Sequence, residues 1–461
     1  MLSKVLTWME PSTDVSKDRL MFTNLDLKQL IIPLVVEQVL SMMVGLVDTM
    51  MISYAGEAAV SGVSLVDMIN NFFIFVFSAT ATGGAVVVAQ YIGNQEIKKG
   101  RLAASQLVML GVVIALILSA ISMIFCNQIL GLLFGNVESA VMEASRTYLL
   151  ISAVSYPFLA LYNGCAALFR SMRLTKVTMY VSIIMNLINV AGNSVGIFVL
   201  HWGVAGVAIA SLLSRLVAGL VMYVMSLNQK RQIYIKPKDI LSVHPELIGR
   251  IGKIAIPNGI ENGLFHLSKI VLTRIIALFG TAQIAANGVA NSIDYVGAII
   301  VSAVSLAVVT VAGQCAGAGD HEQVIYYIKK LLRISLVSSV LLDGLIILLL
   351  PVILKFYALS SEATRLTYIL VILHNVFICT FYPYSGIVPN GMRAAGDVKF
   401  TMYVSIFATA VCRVVFSYLF GVLMGMGIIG VWLAMGVDWA IRSAFFFYRF
   451  KSGAWKNFQV I

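Results

Sequence analysis

The sequence predicts an all-α membrane protein: twelve transmembrane helices in two six-helix lobes related by an internal parallel repeat. Three observations carry this reading. Hydrophobic residues make up 60% of the 461-residue chain and charged residues only 11%, whereas a soluble domain carries about a quarter charged. Twelve stretches are long and apolar enough for a spanning helix, which needs about 20 such residues. Finally, KVTMYVSII at 176–184 returns as KFTMYVSIF at 399–407, 223 residues later and close to half the chain length.

The first 29 residues are polar and charged throughout, with no apolar core before a small-residue cleavage site, so they do not read as a signal peptide. They read as a cytoplasmic tail whose start, MLSKVLTWME, is either a frayed end or a short amphipathic segment on the membrane surface. Cutting at charges and Gly/Pro clusters places the N-lobe spans at 30–54, 60–91, 102–126, 146–170, 175–200 and 203–227. A basic cytoplasmic linker, 228–247, separates them from C-lobe spans at 248–279, 282–316, 325–354, 366–392, 398–422 and 425–450. The N-lobe is thus 30–227 and the C-lobe 248–450, with 451–461 as a second cytoplasmic tail. Loops after the even-numbered spans carry the cations, among them Lys98, Lys99, Arg101, Arg173, Lys230, Arg231, Lys329, Lys330 and Lys399. The opposite loops hold Glu57, Glu138, Glu143, His201 and Glu362, with Lys355 and Arg365. The positive-inside rule therefore puts both termini in the cytoplasm. It also makes the net charge of +11 mostly a topology signal rather than a sign of a nucleic-acid partner.

The repeat extends well beyond one segment. Pro33 and Pro257, Glu37 and Glu261, Gly56 and Gly280, Gln90 and Gln314, and Gly93 and Gly317 all lie 224 residues apart. GVAGVAIA (203–210) pairs with GIIGVWLA (427–434) at the same offset, and Arg170 with Arg393 at 223. Six spans per half return the chain to the same side, so the halves share one orientation and are related by an axis along the membrane normal. Two such bundles suit alternating access, and favour a transporter over an enzyme or receptor.

Ionisable groups inside spans are the functional candidates, because burying them is costly unless they are paired or hydrated. Asp48 lies about six residues, roughly 9 Å, from the outer end of span 1. Asn189 and Asn193 lie at similar depth in span 5, four residues apart and so on one face. A carboxylate and two amide oxygens suit a small hard cation or a proton. The alternative is that Asp48 only bonds a neighbouring helix. Glu261 follows Pro257 by four residues, and Glu37 follows Pro33 likewise. Both are read either as transport groups or as structural hydrogen-bond partners near the inner gate. Lys269 and Asp294 have matched depth on adjacent spans and are expected to pair, with a proton relay as the functional alternative. Asp438 and Arg442 are expected to pair within one helix. Tyr156, Asn163 and Tyr382, near prolines, are candidates for a substrate cavity together with Glu37.

Other signals fail on context. GMGIIG (425–430) lacks the preceding strand of a dinucleotide site and reads as a tight turn. HEQVI (321–325) lacks the second histidine of a zinc-protease helix. Five cysteines without a CxxC spacing read as buried hydrophobes. No nucleophile–base pair can be picked out and no GxxxxGK[ST] loop occurs, so neither catalysis nor ATP drive is expected.

Pro33 in the first span with LVDTMMI (46–52), GQCAGAGD (313–320), NGMRAAGDVKF (390–400) and the duplicated TMYVSI together resemble the multidrug and toxic compound extrusion (MATE) family, bacterial type, over essentially the whole chain. The resemblance implies two lobes around a central cavity, and efflux of organic, often cationic, compounds driven by inward Na⁺ or H⁺. It implies a cation site at Asp48, Asn189 and Asn193, with Ser211 of GVAIAS as the contributing hydroxyl. Some members carry Asp where this chain has Asn193, which leaves Na⁺ and H⁺ both open. It also implies a functional glutamate in span 7, here Glu261; in some members that glutamate lies one turn later, where this chain has Phe265. The expected partners are a small-molecule substrate and the lipid bilayer of a bacterial plasma membrane. No cofactor is expected beyond the coupling ion, and a monomer suffices. The rivals are a lipid-linked oligosaccharide flippase of the same wider superfamily, which needs a cationic cavity, and a channel or receptor, which needs no duplicated lobes.

Overall fold

The computed structural model describes residues 7–12, 15–135, 137–357 and 359–461. Among the described residues the regular elements are all helical. The long helices are α1 (Asn24–Ile52), α2 (Glu57–Gly93), α3 (Ile97–Ile124), α4 (Ser139–Ser171), α5 (Thr175–Val199), α6 (Gly203–Ser226), α7 (Pro245–Ala277), α8 (Thr281–Gly317), α9 (His321–Ile353), α10 (Ser361–Thr380), α11 (Val398–Leu423) and α12 (Gly427–Ser452). Eleven of these are long and apolar enough to cross a membrane; α7 has the length, 33 residues, but carries Arg250, Lys253, Glu261, Lys269 and Arg274. Span 10 differs from the continuous helix expected at 366–392: α10 stops at Thr380 and a second helix runs Tyr382–Ala394. Pro383 supplies no backbone donor and so cannot continue the ladder across Phe381.

Lys28–Gly259 forms one compact unit; Ile260–Ile461 forms the other, together with the described part of the N-terminal tail. In the first, α4 packs against α2, α3 and α6 around Val66, Phe77, Leu149 and Tyr156. In the second, α8 packs against α9, α10 and the Tyr382–Ala394 helix around Ile293, Leu350, Leu370 and Trp432. The linker segment is tied to α3: Arg101 donates to the Gln232 carbonyl at 3.2 Å and lies over the Tyr234 ring at 4.1 Å. Gln106 donates to the Asp239 and Ser242 carbonyls at 3.0 and 2.7 Å.

The tail does not fray where it is described. Tyr327 of α9 brackets Phe22 through its hydroxyl, at 2.7 Å from the Phe22 nitrogen and 2.8 Å from its carbonyl. Glu10 sits 2.8 Å from Lys330 and accepts from Tyr326 at 2.6 Å. Arg333 donates to the Trp8 carbonyl at 2.7 Å.

Several matched residues of the repeat have a physical task. Glu37 of α1 pairs with Arg170 of α4 at 3.0 Å and accepts from Thr178 of α5 at 2.9 Å. In the second half Glu261 of α7 pairs with Arg393, which donates to Thr401 of α11 at 3.0 Å. Thr178 and Thr401 belong to the two copies of TMYVSI. The repeated proline, glutamate, arginine and threonine thus build the same three-helix clamp twice. The two GVAG-type stretches also explain themselves. A methyl on Gly206 would lie 2.8 Å from the Gly196 backbone, and one on Gly430 2.6 Å from that of Gly421, so only glycine permits these helix crossings. Both α5 and α11 end in a wide π-helical turn, Val195–Val199 and Leu419–Leu423. The second half has a further π turn, Phe407–Arg413, with no equivalent in α5. The offset is 224 up to Gly317, 223 from Arg393 to the start of that turn, and 224 after it; the wide turn restores the one residue.

Two outcomes follow. Removing one member of a buried pair costs about 3–5 kcal/mol. Glu37→Gln and Arg170→Met are therefore each expected to lower the unfolding temperature in detergent, and the double variant to cost less than the sum; additive losses would contradict the clamp. Burial tends to raise the Glu10 carboxyl, but hydrogen bonds from Lys330, Tyr326 and Asn24 outweigh it and hold the carboxyl at about 2, below its ordinary 4.5. Tail docking is therefore complete above pH 4.5 and weakens as pH falls towards 2. The anisotropy of a fluorophore at Ser12→Cys, an exposed position two residues after Glu10, is expected to drop over that window. It is expected to be low at every pH in Lys330→Gln; identical profiles for the two proteins would refute this.

Candidate functional site

The N-lobe candidates converge. Asn189 and Asn193, one turn apart on α5, face both α1 and α6. Asn193 donates its amide to Asp48 Oδ1 at 2.5 Å and lies 3.3 Å from Asn189 Oδ1. Asn189 donates in turn to Ser211 Oγ at 3.2 Å. The result is a continuous polar chain, Asp48–Asn193–Asn189–Ser211, across three helices. Asn193 is fully buried, Asn189 and Ser211 nearly so, and Asp48 half-buried. Asn193 Oδ1 is buried without a hydrogen-bond partner. A buried acceptor left open beside a carboxylate is what an oxygen-liganded cation or a proton satisfies. These side chains therefore fit Na⁺ or H⁺ equally well.

A second layer, not placed by sequence reasoning, lies behind this chain. Asn70 of α2 donates to Asp67 at 3.3 Å and accepts from the Tyr156 hydroxyl at 2.7 Å. Arg215 of α6 donates to Ser155 at 2.7 Å, and its charge acts on both Asp48 and Asp67. The signals were present: Arg215 follows Ser211 by four residues and Asn70 follows Asp67 by three, so each shares a helix face with its neighbour. Tyr156 is thereby a buried strut between α2 and α4, its ring against Phe73, rather than a cavity wall. Asn163 is half-buried on α4. Glu37 is held in its clamp with Arg170 and Thr178.

The C-lobe contains an open cavity of about 410 Å³ whose lining includes Glu261, Lys269, Asp294, Tyr382, Arg413 and Arg442. Glu261 faces it but is committed to Arg393. The expected Lys269–Asp294 pair does not form. Asp294 Oδ1 lies instead 2.8 Å from His374 Nδ1, whose ring sits between Trp432 and Trp439. Lys269 lies 5.1 Å from the centre of the Phe265 ring. Equal depth along two helices fixes height but not direction around each axis, and His374 on α10 takes the place assigned to the lysine. Asp438 and Arg442 do pair, at 3.0 Å, and Arg413 approaches the same carboxylate at 4.0 Å. Tyr382 lines the cavity and packs on Trp439 at 4.5 Å. The RAAGD motif now reads as Arg393 for the clamp, Gly396 for a positive-φ turn, and Asp397 for a 2.8 Å pair with Arg449 of α12.

The MatE family model matches residues 33–195 and 257–419, two segments in the same 224-residue register as the repeat. The chain is 27% identical to the uncharacterized transporter YisQ of Bacillus subtilis, covering 92% of this chain and 93% of the relative. It is 24% identical to the probable multidrug resistance protein NorM of Thermotoga maritima, covering 95% and 94%. Its fold superposes on a MOP superfamily transporter from Pyrococcus furiosus with a TM-score of 0.87 at 18% identity, covering 94% of this chain and 96% of that one. A crystal structure of MATE in the bent conformation gives 0.85 at 18% identity with the same coverage. With both halves matched in register and the twelve-helix fold in common, this chain belongs to the MatE family of membrane transporters.

Proposed function

We propose that the protein is a secondary active antiporter, exporting small amphipathic organic compounds in exchange for Na⁺ or H⁺ by alternating access. It would act as a monomer in the plasma membrane, with both termini cytoplasmic. The observation that carries this reading is the Asp48–Asn193–Asn189–Ser211 chain, with its buried, unpartnered Asn193 oxygen.

The physics of exchange follows from one carboxylate shared among three helices. Asp48 accepts from the Asn193 amide and so ties α1 to α5. A bound proton or Na⁺ neutralises Asp48 and recruits the amide oxygens in place of the amide hydrogens. The chain of hydrogen bonds then reverses its sense, and the hold of α1 on α5 changes with it. An ion that alters that hold shifts the balance between two states of the lobe only by its differential affinity for them. The Arg215 charge behind the site disfavours a second cation, which suits one ion per cycle.

The test is ethidium efflux from proteoliposomes under a Na⁺ gradient or a proton gradient, imposed separately. The gradient that drives efflux names the ion. Asp48→Asn is expected to reduce driven efflux by at least about tenfold, as loss of a ligand-shell group does. Undiminished efflux in Asp48→Asn would remove the coupling role from this site, and no efflux of either ethidium or the amphipathic anion fluorescein under either gradient would overturn the export reading.

A further inference from the structure

We propose that the C-lobe cavity binds an organic anion: a carboxylate, sulfonate or phosphate carried on an amphipathic body. The inference names a substrate class for the transporter proposed above, and rests on that reading only for its purpose.

The charges around the cavity do not balance. Two acids face it, and each already has a partner: Glu261 pairs with Arg393, and Asp294 lies 2.8 Å from His374, which is a cation only when protonated. Three further cations line it: Lys269, Arg413 and Arg442. They have one carboxylate between them, Asp438, at 3.0 Å from Arg442 and 4.0 Å from Arg413. Among the described residues no acid lies within ion-pair distance of Lys269; the charge that acts on it is Arg413, of the same sign. Arg413 Nε is buried with no hydrogen-bond partner. Arg413 and Arg442 are each 13% exposed and Lys269 is exposed; cations within a membrane lobe that are short of counter-charges are expensive. An anion entering the cavity would supply the missing charge and the missing acceptor, and a guanidinium matches a two-oxygen anion with two parallel N–H donors.

The duplication isolates this feature. In the 224-residue register the N-lobe equivalents of Lys269, Arg413 and Arg442 are Gly45, Asn189 and Ala218. All three cations are therefore particular to the second half, and all three line one cavity. Arg413 also ends the extra π turn Phe407–Arg413, a distortion that often marks functional positions. The converse holds for the ion site: the C-lobe equivalents of Asp48 and Ser211 are Leu272 and Met435. Phe265, Tyr382, Met435 and Trp439 give the cavity an apolar wall for the body of the ligand. Its volume of about 410 Å³ falls within the usual range for small-molecule sites, about 300–1,000 Å³.

The test is equilibrium binding to the full chain in nanodiscs of zwitterionic phosphatidylcholine, with no ion gradient. The probes are fluorescein, an amphipathic anion, and ethidium, a cation. Wild type is expected to bind fluorescein, and Lys269→Gln and Arg413→Gln each to weaken it by about tenfold or more, the worth of one charge-assisted contact. Ethidium binding is expected to hold or improve in the same variants. Lys269→Gln breaks no ion pair, so its folding is not at issue. Displacement of fluorescein by phosphatidylglycerol built into the disc would identify the anion as a lipid headgroup; displacement by inorganic phosphate alone would identify a soluble ligand. The proposal is overturned if wild type does not bind fluorescein, if neither variant weakens it, or if ethidium binding falls in parallel. Because no gradient is used, these outcomes are independent of whether efflux is Na⁺- or H⁺-driven.

Discussion

The fold depends on one interaction made twice. A glutamate one turn after a helix proline reaches an arginine three spans later in its own half, and a threonine from the next helix completes the contact. In a low-dielectric interior such a pair is not a large net source of stability, but breaking it is costly. That asymmetry makes it a device for register: any slip of the three helices strands a charge. The glycine crossings act in the same direction, since a side chain at Gly196, Gly206 or Gly430 would run into the facing backbone.

What the clamps free is as informative as what they hold. With each lobe fixed by its own Glu–Arg–Thr contact, the polar interiors can diverge, and they do. The N-lobe keeps a carboxylate, two amides and a hydroxyl in one chain, with a single arginine behind. The C-lobe places leucine and methionine where that carboxylate and hydroxyl stand, and gathers cations around a cavity instead. One lobe is suited to a small cation and the other to an organic anion. If the lobes divide as proposed, two sites of opposite sign would keep a coupling ion and its cargo from competing for the same ligands.

Much of this was legible in the sequence. Apolar length and the constant offset marked the helices and the halves, because both are one-dimensional properties. The convergence of Asp48, Asn189 and Asn193 was also legible, since Asn189 and Asn193 share a face by spacing and Asp48 matches them in depth. Three things were not. Glu37 and Glu261 were equally consistent with transport and with structure, because their arginine partners lie more than a hundred residues away and nothing local aims them. Lys269 and Asp294 matched in depth but not in direction, and His374 was invisible as a partner in a helix read for its hydropathy. The tail read as a frayed end because its partners, Tyr326, Tyr327 and Lys330, belong to the other half of the chain. The one-residue change of offset was in plain view, yet only the wide turn at Phe407–Arg413 gives it a place and a consequence.

The division of roles between the lobes is tested most directly by one crossed measurement. Ion binding, as calorimetric Na⁺ titration and as proton release to an indicator dye, would be recorded alongside fluorescein binding on the same preparations of Asp48→Asn and Lys269→Gln. Separate sites predict that Asp48→Asn loses the ion and keeps the anion, while Lys269→Gln keeps the ion and loses the anion. Loss of both activities in either variant, or the reverse pattern, would contradict a cation site in one lobe and an anion site in the other.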